Sequence, residues 1–343
     1  MANKVLGIEW APWNIPLERR LQTLCVVYYI LMFILAPFVT LILFIAVLLS
    51  EWYFLALAYA AWMYYDIRIR KTSSRGGRRY GWIRRLPVWS YFRDFFPISL
   101  TKTADMDSNK NYIWGYHPHG ILGCGAFGNF ATDATGFAEK FKGITPYLLT
   151  LKPNFNYPLL RGVLLWHGVC DVSKESLEYI LTKNGKGNAA IIVIGGAQEA
   201  LNAKPGNYDI TLKNRKGFVK MALKTGASLV PVYSFGENDL FSQADNPTGS
   251  TLRAFQEKFK NIFGFSPPIF YGRGIFNYTF GMLPYRKPVV TIVGKPIDLP
   301  RIEKPSQEDV DKYHKLYMEG LSQLFDDHKE QHGIDKDTKL HFV

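Results

Sequence analysis

Charge is absent from a long part of this chain. Between Leu21 and Ser50 no Asp, Glu, Lys or Arg occurs over 30 residues, and a second uncharged run extends from Trp52 to Tyr65. As a helix the first run would be about 45 Å long, against about 30 Å of bilayer hydrocarbon. It is too long, and lacks the small-residue cleavage site, for a cleaved signal peptide. The chain therefore reads as a membrane protein, with an apolar hairpin of two helices over residues 21–66. Pro37 and Ser50-Glu51 are the two candidate turns, and Ser50-Glu51 is favoured. Cysteine is scarce as well. Cys25, Cys124 and Cys170 are too few and too scattered for a disulfide framework or a Cys-based zinc site. There is no Gly-x-Ser-x-Gly elbow to support a serine acyl-enzyme, and no Gly-x-x-x-x-Gly-Lys-Ser/Thr loop to support ATP chemistry. No internal repeat of solenoid period occurs. A hydrophobic content of 48% with 15% aromatic residues excludes a disordered chain.

What is present is unevenly placed. The 343 residues carry a net charge of +12. Much of it lies between Asp66 and Arg85, where Arg68, Arg70, Lys71, Arg75, Arg78, Arg79, Arg84 and Arg85 face one acid. Arginines flank both ends of the apolar segment, so the positive-inside rule puts both ends in the cytosol. Residues 1–20 form a cytosolic N-terminal segment. Residues 67–110 form a basic, aromatic juxtamembrane segment that lies on anionic head groups, anchored by Trp82, Trp89, Tyr91, Phe92, Phe95 and Phe96. Residues 111–343 form a cytosolic domain. Strand-like runs occur at Tyr112–Tyr116, Ala189–Ile194, Leu229–Phe235 and Val289–Val293. Helical patterns lie between and after them: Arg215–Thr225 ends at Gly226, and another opens at Ser306 with Asp309 as a capping box. The alternation predicts an α/β fold, a mixed and mostly parallel sheet with helices on its faces.

Tyr116-His117-Pro118-His119-Gly120, at the end of a predicted strand, is the densest chemical constellation. An imidazole titrates near neutrality and is the natural general base there. A His-x-His metal clamp, completed by His167 or Glu199, is the alternative reading, but nothing fixes a full ligand set. The run Gly123-Cys124-Gly125-Ala126-Phe127-Gly128 formally spells a dinucleotide fingerprint. It follows the histidine turn rather than the strand and lacks the acid a fingerprint needs, so close helix packing is the better use of its glycines. Cys124 reads as a buried small residue rather than a nucleophile. After the second strand comes Gly195-Gly196-Ala197-Gln198-Glu199, at the sheet edge where open α/β sheets hold ligands. Glu199 reads either as the acceptor of a histidine Nδ1–H or as a helix N-terminal acid. Lys213-Asn214-Arg215-Lys216-Gly217 opens a helix with cations, an arrangement suited to a phosphorylated ligand or to plain solvation.

These residues resemble the type-2 diacylglycerol acyltransferase family, which includes monoacylglycerol and wax-alcohol acyltransferases. The resemblance runs through Tyr91-Phe92-Arg93-Asp94-Phe95-Phe96-Pro97, the His117–Gly120 block and Gly195-Gly196-Ala197-Gln198-Glu199. It continues through Arg215-Lys216-Gly217-Phe218, Leu229-Val230-Pro231-Val232, Phe235-Gly236-Glu237-Asn238 and Gly272-Arg273-Gly274 to Gly294-Lys295-Pro296-Ile297. Where many members have Tyr-Phe-Pro, this chain has Phe95-Phe96-Pro97. Phe54, Leu55 and Leu57 resemble the family's neutral-lipid motif. The resemblance implies a glycerolipid-acyltransferase-like domain on a membrane hairpin. The more distant His-x-x-x-x-Asp relatives use an acid five residues on, but Leu122 and Cys124 stand there, which moves the orienting role to Glu199.

The implied reaction is acyl transfer from acyl-CoA to diacylglycerol, giving triacylglycerol. His119 is the expected base, His117 supports it, and Glu199 holds the imidazolium. Main-chain N–H groups at Gly120, Gly195 and Gly196 are the expected oxyanion donors, and Lys213, Arg215 and Lys216 the CoA-phosphate ligands. Acyl-CoA is a co-substrate; no cofactor, metal or nucleic acid is implied. A monoacylglycerol or long-chain alcohol acceptor is the close alternative, supported by Leu17-Glu18-Arg19-Arg20-Leu21-Gln22-Thr23-Leu24. A non-catalytic lipid scaffold and a metal hydrolase are the remote ones. The expected setting is the endoplasmic reticulum membrane and the lipid droplet surface, with a homo-oligomer open as an assembly.

Overall fold

A computed structural model describes residues 3–247, 249–263 and 268–343. The uncharged run forms one continuous helix, α1 (Leu17–Leu48). Pro37 does not break it. The chain widens into a π-turn over Leu31–Leu35, so Ala36 N–H bonds five residues back to Leu31, and the proline follows in the next turn. The reversal comes at Ser50-Glu51. Ser50 Oγ donates to Val47 O (2.8 Å) and accepts from Trp52 N–H (3.1 Å), closing the turn before α2 (Tyr53–Tyr64).

The two ends of α1 have different surroundings. Cys25, Val26, Tyr29 and Ile30 are buried against α3 (Pro87–Phe95), whereas from Leu31 to Leu48 no residue is buried. That free length is about 27 Å, close to the hydrocarbon thickness, and its exposed side chains include Phe38, Ile42 and Leu43. Water would make such a surface very costly. The protein is membrane-associated through this helix.

Asp66, just past α2, is fully buried and ion-paired to both Arg78 and Arg161, and it accepts from Thr72 Oγ1 (2.7 Å). The Trp62 ring lies under the same two guanidinium groups, at 5.0 and 5.2 Å. This node ties the returning arm of the hairpin to the domain.

The domain is built on a seven-stranded sheet: β1 (Ile98–Lys102), β2 (Tyr112–His117), β3 (Thr145–Thr150), β4 (Cys170–Asp171), β5 (Asn188–Val193), β6 (Ser228–Phe235) and β7 (Val289–Val293). Their order across the sheet is β1-β7-β6-β2-β5-β3-β4. All pairs are parallel except β7 with β6, so the sheet is mixed and mostly parallel. Side chains of β2 alternate between two cores. Tyr112, Trp114 and Tyr116 join α3 and the base of α1, while Ile113 lies with α5 (Gly217–Thr225) and α6 (Gln307–His328), after the short α4 (Gly196–Ala200). The expected Ser306 capping box opens α6, and Gly226 ends α5 in the left-handed conformation.

Three strands of this sheet, β1, β3 and β4, were not expected. β1 draws part of the 67–110 segment into the sheet edge, and Trp89, Phe92, Phe95 and Phe96, expected as interfacial anchors, are buried in the domain core. β3 contains Pro146, which normally argues against an interior strand. Here the ring takes the place of one donor, and the Pro146 carbonyl accepts from Arg79 Nη1 (2.7 Å).

Candidate active site

The central strand β2 and its neighbours β5 and β6 run parallel and finish at one edge. Each hands the chain to a glycine and an ionisable residue. After β2 come His117–Gly120, after β5 Gly195, Gly196 and Glu199, and after β6 Gly236 and Glu237. The histidine turn, entered through a cis His117–Pro118 peptide, is held between the two glutamates.

On one side Glu199, buried at the start of α4, accepts from the main-chain N–H of His119 (2.7 Å) and from Thr211 N–H (3.0 Å). A side chain at Gly195 would collide with that carboxylate. On the other side Glu237 Oε2 accepts from Tyr116 Oη (2.8 Å) and Gly125 N–H (2.9 Å). Its Oε1 is buried with no partner among the described residues. Gly120 has φ +63°, and a Cβ there would come within 2.7 Å of Glu237 Cγ, so only glycine fits between turn and carboxylate. Burial raises both carboxyls to about 7.

The two histidines have different fates. His119 is half-buried, and its Nδ1 lies 3.0 Å from Gly120 O. A carbonyl only accepts, so Nδ1 carries the proton and Nε2 is left with its lone pair. Burial lowers the pKa of this ring, which is neutral at pH 7. His117 is fully buried, and its Nε2 lies 3.2 Å from Tyr317 Oη, which itself donates to Gly115 O (3.0 Å). His117 Nε2 is therefore the donor to Tyr317, and its buried Nδ1 has no partner among the described residues. Burial lowers its pKa to about 3.

The expected contact between Glu199 and His119 Nδ1 is therefore not the one made. Glu199 holds the main chain of His119, and the ring is oriented by the carbonyl of the next residue. The sequence reading also passed over Glu237. Its signal was present, since strand, glycine and carboxylate follow one another after β6 just as they do after β5. Gly196 (φ +57°) faces open space. Lys213 and Arg215 are exposed, while Lys216 is paired with Asp311 (2.7 Å). Arg215 is near enough for its charge to act on Glu199. Phe54, Leu55 and Leu57 are exposed on α2 beside the hairpin tip. The tip is about 28 Å along the helix from Tyr29, which donates to Leu122 O just past the histidine turn (2.8 Å). Among the described residues no three His, Cys, Asp or Glu side chains cluster as metal ligands. Cys124 is buried beside Glu237, and burial raises its thiol pKa, which removes it as a nucleophile at neutral pH. The glycines around it serve packing: Gly125 faces Glu237 and Tyr116, and Gly128 faces Ile98 and Phe92.

Two changes test this geometry. Gly115→Ala places a methyl where Tyr317 Oη lies. It should cost about 1–3 kcal/mol by overpacking and free the His117 contact, read by thermal unfolding. Glu237→Gln keeps an oxygen for Tyr116 and Gly125 but removes the charge. Because the folded pKa of Glu237 is raised to about 7 from 4.5, its contribution is fully present below pH 4.5 and is lost as pH rises through about 7. The variant should gain on the order of 2 kcal/mol over the parent above pH 7 and match it below pH 4.5, in melts across that range.

The residues so arranged fall within a match to known proteins: the family described as diacylglycerol acyltransferase matches residues 45–343. The chain belongs to the diacylglycerol acyltransferase family. Within it, a 2-acylglycerol O-acyltransferase 1 of Bos taurus is 48% identical over 337 residues, covering 98% of this chain and 100% of that one. A diacylglycerol O-acyltransferase 2 of Homo sapiens is 48% identical over 324 residues, covering 94% and 83%. That of Dictyostelium discoideum is 48% identical over 331 residues, covering 96% and 98%. Among solved structures, a 1-acyl-sn-glycerophosphate acyltransferase of Thermotoga maritima covers 88% of this chain and 95% of that one, at 12% identity and a TM-score of 0.37. The histidine turn and both glutamates lie inside the region that matches the family.

Proposed function

We propose that the chain is an acyl-CoA-dependent O-acyltransferase that makes triacylglycerol from diacylglycerol. The observation that carries the mechanism is the free Nε2 lone pair of His119, set by the Nδ1 contact with Gly120 O. Nε2 takes the proton of the lipid hydroxyl as its oxygen attacks the thioester carbon. The tetrahedral centre collapses with loss of the CoA thiolate, which takes the proton from the imidazolium. The thioester is already activated, so no acyl-enzyme is needed and no cofactor enters. Glu199 is a positioning residue acting through the His119 main chain, and His117 braces the turn through Tyr317. Main-chain N–H groups near Gly120, Gly195 and Gly196 receive the oxyanion. Lys213, Arg215 and Lys216 meet the CoA phosphates from the cytosol, and Phe54, Leu55 and Leu57 lie on the lipid side. The setting we assign is the endoplasmic reticulum membrane and lipid droplet surface, with both ends of the hairpin cytosolic.

A monoacylglycerol acceptor is the second reading. It is favoured by the full-length match to the bovine protein named 2-acylglycerol O-acyltransferase 1. The test offers purified full chain labelled acyl-CoA with diacylglycerol, 2-monoacylglycerol and a fatty alcohol in parallel. Labelled triacylglycerol as the dominant product is expected. Dominant diacylglycerol would favour the second reading, and no ester from any acceptor would remove both.

A further inference from the structure

A large cavity lies away from the residues of the histidine turn. It measures about 1320 Å³ and lies between residues 10–17, the first turns of α1 and residues 273–286. An N-terminal strand, Ile8–Trp10, closes it by pairing with the distant loop: Ala11 N–H bonds Phe276 O (2.9 Å), and Tyr278 N–H bonds Glu9 O (2.8 Å).

Four arginines line it: Arg19, Arg20, Arg273 and Arg286. Among the described residues, every hydrogen-bond partner of their side chains is neutral. Arg20 donates to Trp13 O (2.7 Å), and Arg286 donates to Gln22 Oε1 (2.6 Å), Arg19 O (3.0 Å) and Thr23 Oγ1 (3.2 Å). Arg273, itself nearly buried, donates to Gly274 O (3.1 Å) and lies over the Tyr278 ring at 4.4 Å. Burial lowers Arg286 to about 10, and the charges of Arg19 and Arg273 press in the same direction, opposed by Tyr278 and by no carboxylate among the described residues. Arg273 is buried and Arg286 half-buried, and cations withdrawn from water without a counter-charge call for an anion.

The remaining wall says what kind. Trp13, Ile275 and Phe276 are exposed large apolar side chains, and the cavity opens beside the apolar helix α1. Its volume exceeds the roughly 300–1,000 Å³ usual for small-molecule pockets. A soluble anion would leave that wall unused, whereas an amphiphile with a phosphate head would satisfy guanidinium forks and apolar wall together. We propose that this cavity binds the phosphate head group of an anionic phospholipid drawn from the bilayer, with its acyl chains against the base of α1. The site contains none of the residues assigned to acyl transfer, so it stands whether or not that assignment does.

The test uses full-length protein and flotation on phosphatidylcholine vesicles with and without phosphatidic acid. Arg19→Gln is the informative variant, because the Arg19 side chain is exposed and makes no hydrogen bond or ion pair among the described residues, so its loss chiefly removes charge. Arg273→Gln is the second. Each should weaken the phosphatidic-acid-dependent binding about fivefold, and both together about 25-fold. Lys304→Gln, the same charge change at an exposed lysine outside the cavity, should leave it unchanged. Wild-type binding should resist inorganic phosphate, since the apolar wall contributes. Equal losses in Lys304→Gln, full competition by inorganic phosphate, or loss of long-chain acyl-CoA binding in place of phosphatidic acid binding would each overturn the proposal.

Discussion

Replacing His119 by Ala should leave a folded protein whose kcat has fallen by about a thousandfold. The fold should survive because Glu199 bonds the main-chain N–H of residue 119, not its ring. An alanine there keeps both the clamp and the turn. What disappears is the neutral imidazole whose Nδ1 is occupied by Gly120 O and whose Nε2 is free to accept a proton. KM for acyl-CoA should move little, since the loss is confined to the transition state. Burial lowers the His119 pKa below its usual 6.5, so the acid limb of the wild-type kcat profile should lie below pH 6.5. His117→Ala should behave differently. That ring is sealed, already bonded to Tyr317, and held to a pKa of about 3. Its removal should act on stability first, as a cavity between β2 and α6.

Asp66→Ala should cost about 3–5 kcal/mol, the largest stability loss of any single change considered. The carboxylate is fully buried and pairs with two guanidinium groups, and Arg161 is almost completely buried itself. Removing it leaves two cations against Trp62 without a counter-charge. The break lies where α2 returns to the domain, so unfolding should begin there. Limited proteolysis between Arg68 and Arg79 should accelerate in the variant, alongside a lowered denaturant midpoint. Arg78→Ala should cost less, because Arg161 and Thr72 still hold the carboxylate.

How much of this was legible in the sequence depended on how local the cause was. The apolar run, the turn at Ser50-Glu51 and the Ser306 cap are set by neighbouring residues, and they appear where expected. β2, β5, β6 and β7 announce themselves through β-branched and aromatic runs. β1 and β3 do not: one is short and half polar after Pro97, the other contains Pro146, and both are strands because the sheet supplies partners. The aromatic residues from Trp89 to Phe96 look alike whether they anchor in a membrane surface or fill a core. Only the packing of α3 against the base of α1 decides for the core.

In the site, residue identity was legible and bonding was not. His119 and Glu199 are adjacent, as their positions at the ends of neighbouring strands imply, but the sequence does not say whether a carboxylate reaches a ring or a main-chain N–H. Glu237 carries a readable pattern of strand, glycine and carboxylate, but its packing against Gly120 is set by the fold and is not legible in the sequence. The four-arginine cavity was equally hidden. Its members are separated by some 250 positions and meet only because the N-terminal strand pairs with the loop at Asn277.

The central claim is that acyl transfer is direct, with the lipid hydroxyl activated at His119. A rapid-quench single turnover with labelled acyl-CoA, followed with and without diacylglycerol, tests it most closely. The account expects CoA thiol to appear only when acceptor is present, in step with labelled triacylglycerol, and no acyl mass added to the protein. A burst of CoA without acceptor, accompanied by an acylated enzyme, would contradict it.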